Sequence, residues 1–80
     1  MIEYEVVEQI ATLSEAYNGY TKELNLIAWN KAQPKYDLRT WRTTETGKTM
    51  CKGITLSEDE MKALVEAMKG RKYGNGKQGN

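Results

Sequence analysis

Two tryptophans, Trp29 and Trp41, stand in the middle of this 80-residue chain, and the bases around them are Lys31, Lys35, Arg39, Arg42, Lys48 and Lys52. Flat indole rings interleaved with cations suit one kind of chemistry. Unpaired bases stack on aromatic faces for about 1–3 kcal/mol each, while lysine and arginine follow the phosphates. A duplex hides its base faces, so tryptophans exposed on a sheet favour single strands. The same residue types have a second reading. A strand tryptophan commonly packs in a core or subunit interface, and interfaces between proteins are also enriched in Trp, Tyr and Arg. Arg39 has an equally plain alternative, an ion pair with Asp37 or with an acid of the first strand.

Charge supports a polyanion more by its distribution than by its sum. The chain holds 12 bases and 11 acids, a net charge of +1. Residues 1–23 carry five acids and one base, whereas residues 24–56 carry six bases and two acids. A local excess of positive charge inside a nearly neutral chain suits tracking of a nucleic-acid backbone. Other chemistries lack their residues. With no histidine and a single cysteine, Cys51, a structural zinc site, an intrachain disulfide and a histidine-based triad have no ligands or partners. No paired carboxylates or glycine-rich phosphate loop stand out, so no enzyme activity and no cofactor are expected. The charged opening Met1–Glu5 is unlike a signal peptide, and no apolar run approaches the roughly 20 residues of a membrane span.

These residues need strands to hold them. Residues 4–16 read as a strand, with Val7, Ala11 and Leu13 on one face and Val6 and Ile10 on the other. Tyr17-Asn18-Gly19-Tyr20 reads as a two-residue type I′ hairpin turn. Partner positions then sum to 37, placing Leu13 opposite Leu24, Ala11 opposite Leu26, Glu15 opposite Lys22, Thr12 opposite Asn25, Ile10 opposite Ile27 and Glu8 opposite Trp29. Residues 20–30 form the second strand, Asn30–Pro34 a loop, and residues 35–43 a third strand. Residues 43–48 read as a polar loop with Gly47 available for a turn, and 49–56 as a shorter fourth strand in which Gly53 marks a bulge or close approach. Ser57-Glu58-Asp59-Glu60 is a capping box, with Leu56 and Met61 placed as a hydrophobic staple. Met61, Leu64, Val65 and Met68 then make one apolar stripe, and Gly70 supplies the stop.

The resulting fold class is α+β: a four-stranded antiparallel sheet followed by one C-terminal helix, β-β-β-β-α. Residues 1–70 form the domain, and residues 71–80, with Arg71, Lys72, Lys77 and no aliphatic side chain, form a disordered basic tail. The helix covers the face bearing Leu24, Leu26 and Ala28. Asn25, Ile27, Trp29, Arg39 and Trp41 remain on the other face, to be covered by a second subunit or a ligand.

Three runs, Leu24-Asn25-Leu26-Ile27-Ala28-Trp29, Lys35-Tyr36-Asp37-Leu38-Arg39-Thr40-Trp41 and Lys52-Gly53-Ile54-Thr55-Leu56-Ser57 leading into the capped helix, resemble the transcriptional positive-cofactor-four (p15) family, in particular its bacterial YdbC-like branch. The likeness covers about residues 4–70. It implies a homodimer that binds single-stranded DNA with little sequence preference. By matched position Trp29 would stack on bases, Arg39 and Lys52 would contact phosphates, and Lys35 would assist. The chain departs from the eukaryotic pattern where Trp41 is followed by Arg42 instead of a second aromatic residue, so the second platform is either lost or shifted onto Trp41. Asn30 stands where a lysine is common.

The expected nucleic-acid contacts are thus Trp29, Lys31, Lys35, Arg39, Trp41, Arg42, Lys48 and Lys52. Single-stranded DNA is the expected partner, with RNA left open, alongside a second copy of the chain; no membrane and no small-molecule substrate are expected. The location is cytoplasmic, on the nucleoid, with transcription, repair or replication as the process served. The alternative is a protein-interaction module using the aromatic face.

Overall fold

The computed structural model describes residues 3–71. Strands β1 (Tyr4–Glu15), β2 (Tyr20–Trp29), β3 (Lys35–Thr44) and β4 (Gly47–Leu56) precede helix α1 (Glu58–Met68). The four strands form one antiparallel sheet in the order β1-β2-β3-β4, so the expected fold class is borne out. The basic tail, apart from Arg71, lies outside the described residues.

The first hairpin differs from expectation. Residues 16–19 form its connection, with Gly19 N–H donating to the Ala16 carbonyl (3.1 Å) and Gly19 itself at φ +89°. Pairing starts at Glu15 opposite Thr21 and continues as Ser14–Lys22, Thr12–Glu23, Ala11–Leu24, Gln9–Asn25, Glu8–Leu26, Val6–Ile27 and Tyr4–Trp29. The constant sum of 37 is therefore replaced, together with the pairs Leu13–Leu24 and Ile10–Ile27. Twelve residues of β1 run beside the nine from Thr21 to Trp29, and the difference is taken up by extra residues at Val7, Ile10 and Leu13. Each such bulge bends the strand and increases its twist.

The bending changes which face is the core. Along a flat strand the eight steps from Trp41's partner Thr21 to Tyr4's partner Trp29 would span roughly 26 Å. Yet the Tyr4 ring lies 5.9 Å from Trp29 and 6.0 Å from Trp41. The sheet is curled so that side chains on its concave face converge and cover one another. Ile27, Trp41, Glu23, Asn25 and Asp37 are all buried there, Trp41 at 3% exposure. The opposite face splays: Leu24, Leu26, Ala28 and Leu38 are half-buried and Ile54 is 56% exposed. The expected order of core and open face is thus inverted, because curvature crowds one side and α1 touches only β3 and β4.

Helix α1 begins as expected. The Ser57 hydroxyl accepts from Glu60 N–H (3.1 Å), and the Glu60 carboxylate accepts from Ser57 N–H (2.8 Å). Past the cap residue Lys69, Gly70 takes φ +77°. No residue of α1 is buried, and Leu64, Val65 and Met68 of its apolar stripe are exposed.

Candidate nucleic-acid interface

Trp29 ends β2 at the rim of the concave face. The turn after it is tight: Asn30 and Lys31 both have positive φ (49° and 66°), and Ala32 N–H donates to the Trp29 carbonyl (2.8 Å). Such a backbone costs about 1–2 kcal/mol per residue with an ordinary side chain. Asn30 offsets part of it by clasping the start of β1, its N–H donating to the Glu3 carbonyl (2.7 Å) and its Oδ1 accepting from Glu3 N–H (2.9 Å). The indole lines an open hollow of about 320 Å³ with Ala32, Gln33, Lys35 and Thr55. Lys31 projects beside a neighbouring hollow formed with Glu3, Tyr4, Glu5 and Ala28.

Arg39 holds that ring from behind. Its guanidinium carbon lies 5.3 Å from the Trp29 ring centroid, a cation–π distance. Its Nε and Nη2 donate to the two carboxylate oxygens of Asp37 (2.6 and 2.8 Å), and its Nη1 donates to the Cys51 carbonyl (3.1 Å). Asp37 also accepts from the Thr55 hydroxyl (3.3 Å). The bidentate bonds to Asp37 raise the Arg39 pKa against the opposing effect of burial, and the carboxylate charge adds to them. Gly53 lies opposite Arg39 on β4, at the close approach its type suggested.

Further along the groove Glu23 anchors a second polar group. Its carboxylate accepts from Lys48 Nζ (2.5 Å), the Thr21 hydroxyl (2.7 Å) and Asn25 Nδ2 (3.4 Å). Burial pushes this carboxyl up, but the hydrogen bonds from Lys48, Thr21 and Asn25 and the Lys48 charge outweigh it, leaving the pKa below its ordinary value. A lowered folded pKa means that the ionised form stabilises the fold. The contribution is complete above about pH 5 and lost as pH falls through the carboxylate range near 4 and below. Glu23→Gln is therefore expected to be less stable than the parent at pH 7, with the gap closing towards pH 3, as urea denaturation at both pH values would show.

The eight expected contacts separate by place. Trp29, Lys35, Arg39, Trp41 and Lys48 alternate onto the concave side, and Lys31 stands at its rim. Trp41 is not the exposed ring expected; it forms the groove floor under Tyr4. Lys52 sits in the β4 bulge opposite Thr40, lining a hollow with Lys22, Leu38, Thr40 and Ile54 on the convex side. Arg42 also points to that side, 5.7 Å from the Tyr20 ring. Sequence reasoning missed Tyr4 and Glu23 as groove residues. Tyr4 had a signal, since Tyr4, Val7, Ile10 and Leu13 recur every three residues, a spacing that fits neither a regular strand nor a helix. Nothing in the sequence singled out Glu23.

The groove, its aromatic cluster and its rim of lysines lie on a chain whose sequence matches a known family over most of its length. The sequence model described as Transcriptional Coactivator p15 (PC4) matches residues 17–67. A similar protein, an uncharacterized protein of Treponema pallidum (strain Nichols), is 43% identical over 65 residues, covering 81% of this chain and 74% of that protein.

Proposed function

Because the chain belongs to the transcriptional coactivator p15 (PC4) family, known for single-stranded DNA binding and coactivator function, we propose that it is a homodimeric single-stranded DNA-binding protein with little overall sequence preference. The observation that carries this reading is the half-buried Trp29 ring, backed on one side by Arg39 and bordering an open hollow with Lys35. A base stacks on that ring. Lys31 and Lys35 contact the phosphates to either side, while Lys48, at the far end of the groove, is engaged with Glu23. Arg39, already neutralised by Asp37, acts chiefly through the ring it supports and adds its remaining N–H groups. Lys52 and Arg42 extend positive charge to the convex side. There Leu24, Leu26, Leu38 and Ile54 join the exposed stripe of α1, and a second copy of the chain covers this apolar area.

The test is a titration of the intrinsic tryptophan fluorescence with oligo-dT at two salt concentrations, with duplex DNA as the control. Quenching by the single strand that weakens with salt and is poor with duplex is the expected result. Trp29→Ala is expected to weaken binding about 5- to 150-fold, corresponding to one stacked base, with the melting transition retained. Light scattering should give twice the chain mass. Absence of quenching at either salt would overturn the reading and leave the aromatic face to a protein partner.

A further inference from the structure

The floor of the groove holds a second hollow, of about 260 Å³, that stacking alone does not explain. It is lined by Tyr4, Val6, Gln9, Glu23, Asn25, Trp41 and Lys48. Two of these residues keep a buried polar atom with no hydrogen-bond partner among the described residues: Asn25 Oδ1 and Trp41 Nε1. Their residues are 1% and 3% exposed. An unpaired buried polar atom is costly, and native structures retain few. The orientation of the Asn25 amide follows from its neighbour, since a carboxylate accepts only and Asn25 Nδ2 donates to Glu23 Oε1 (3.4 Å). Oδ1 is therefore the free acceptor. Glu23 Oε1, engaged only by that long bond, is a second acceptor beside it, and Trp41 Nε1 is a donor.

The chemistry of the site selects its occupant. A phosphate is repelled by the Glu23 carboxylate, and the Lys48 charge that would attract one is already bound to it. What fits is a planar, uncharged group that offers two N–H donors side by side and one carbonyl. Among the bases only guanine carries that edge: N1–H and the 2-amino group for the two acceptors, O6 for the indole N–H. Adenine and cytosine offer one donor on that edge, and thymine places a single N–H between two carbonyls.

We propose that this hollow is a guanine subsite, giving one position of a bound single strand a base preference that the rest of the groove lacks. The proposal rests on the single-strand reading above and deepens it. Tyr4, the first residue of β1, roofs the site with its ring against both tryptophans, and it turns aside as the base enters.

Affinities are measured for the full chain with a dT tract carrying one central guanine, then with adenine, cytosine, inosine or 2-aminopurine at the same position. Guanine is expected to bind at least about tenfold more tightly than adenine or cytosine, consistent with the discrimination of a good bidentate contact. Inosine, which lacks the 2-amino group, and 2-aminopurine, which lacks O6 and N1–H, are expected to lose most of that gain. Trp41→Phe is expected to bring the guanine-to-thymine affinity ratio towards one. Tight binding of every tract with no guanine preference would overturn the subsite and leave the single-strand reading intact. No binding of any tract would overturn both.

Discussion

Gly53→Ala is expected to cost the protein most of its stability. A methyl group on Gly53 would stand 1.9 Å from Arg39 Cβ, 2.6 Å from Arg39 Cα and 2.7 Å from the Leu38 carbonyl oxygen. None of these atoms is the end of a flexible side chain, so β3 and β4 must move apart. Separation breaks the pairing of Arg39 with Gly53 and disturbs the carbonyl of Cys51 that Arg39 Nη1 holds. Overpacking costs about 1–3 kcal/mol where side chains can give, and here the backbone itself is in the way. Against a total stability of about 4–12 kcal/mol for a chain of this size, the expected result is a melting temperature lowered by about 10–20 °C. Circular dichroism would show it, and an unchanged melt would mean that β3 and β4 can part at Gly53 without loss of stability. Trp29 should lose its backing at the same time, so any folded remainder is expected to bind oligo-dT weakly.

The second large effect concerns Arg39. Removing its charge as Arg39→Met strands the Asp37 carboxylate, which is 0% exposed and would keep only the Thr55 hydroxyl as a partner. Breaking a buried pair on one side costs about 3–5 kcal/mol, enough to bring a small domain near its midpoint. Adding Asp37→Asn should return much of the loss, because the uncompensated charge is then gone. Urea denaturation of the parent, the two single variants and the double variant gives the coupling energy directly. A double variant no more stable than Arg39→Met alone would place the damage in lost packing on Trp29. This pair also decides how binding data on Arg39 variants are read, since weakened binding by an unfolded chain says nothing about phosphates.

Much of the fold is legible in the residues because local chemistry and global pattern agree. The capping box at Ser57 and Glu60, the loop between Trp29 and Lys35, and the glycine at position 53 each have one conformational role that their residue types announce. The register of the first hairpin is not legible in the same way. Asn18-Gly19 invites a two-residue turn, but Gly19 instead presents its carbonyl to Thr43 N–H (2.9 Å), a contact with β3 that no local signal encodes. Curvature is the larger omission. An alternating pattern assigns residues to two faces but does not say which face closes on itself, and here the one with more polar residues does. Glu23 and Asp37 tolerate burial because Thr21 and Arg39, two residues away on their own strands, and Lys48 and Thr55, reaching across from β4, all donate to them; the cross-strand pairings depend on a curl the linear sequence leaves open. The tryptophans and lysines of the candidate site could be picked out by type, whereas the separation of Lys52 and Arg42 from Trp29 follows from strand parity and one bulge in β4.

The three bulges of β1 bear on behaviour at high concentration. β1 is an outer strand, twelve residues long, and it displays Val6, Val7, Ile10 and Leu13. A straight strand of that composition would be a template for sheet-to-sheet addition and fibre growth. Here the interruptions at Val7, Ile10 and Leu13 break the regular spacing of its free amide and carbonyl groups, so an incoming strand finds matching partners for only two or three residues before losing step. Strand β1 thereby keeps an apolar rim without offering a regular template for strand addition.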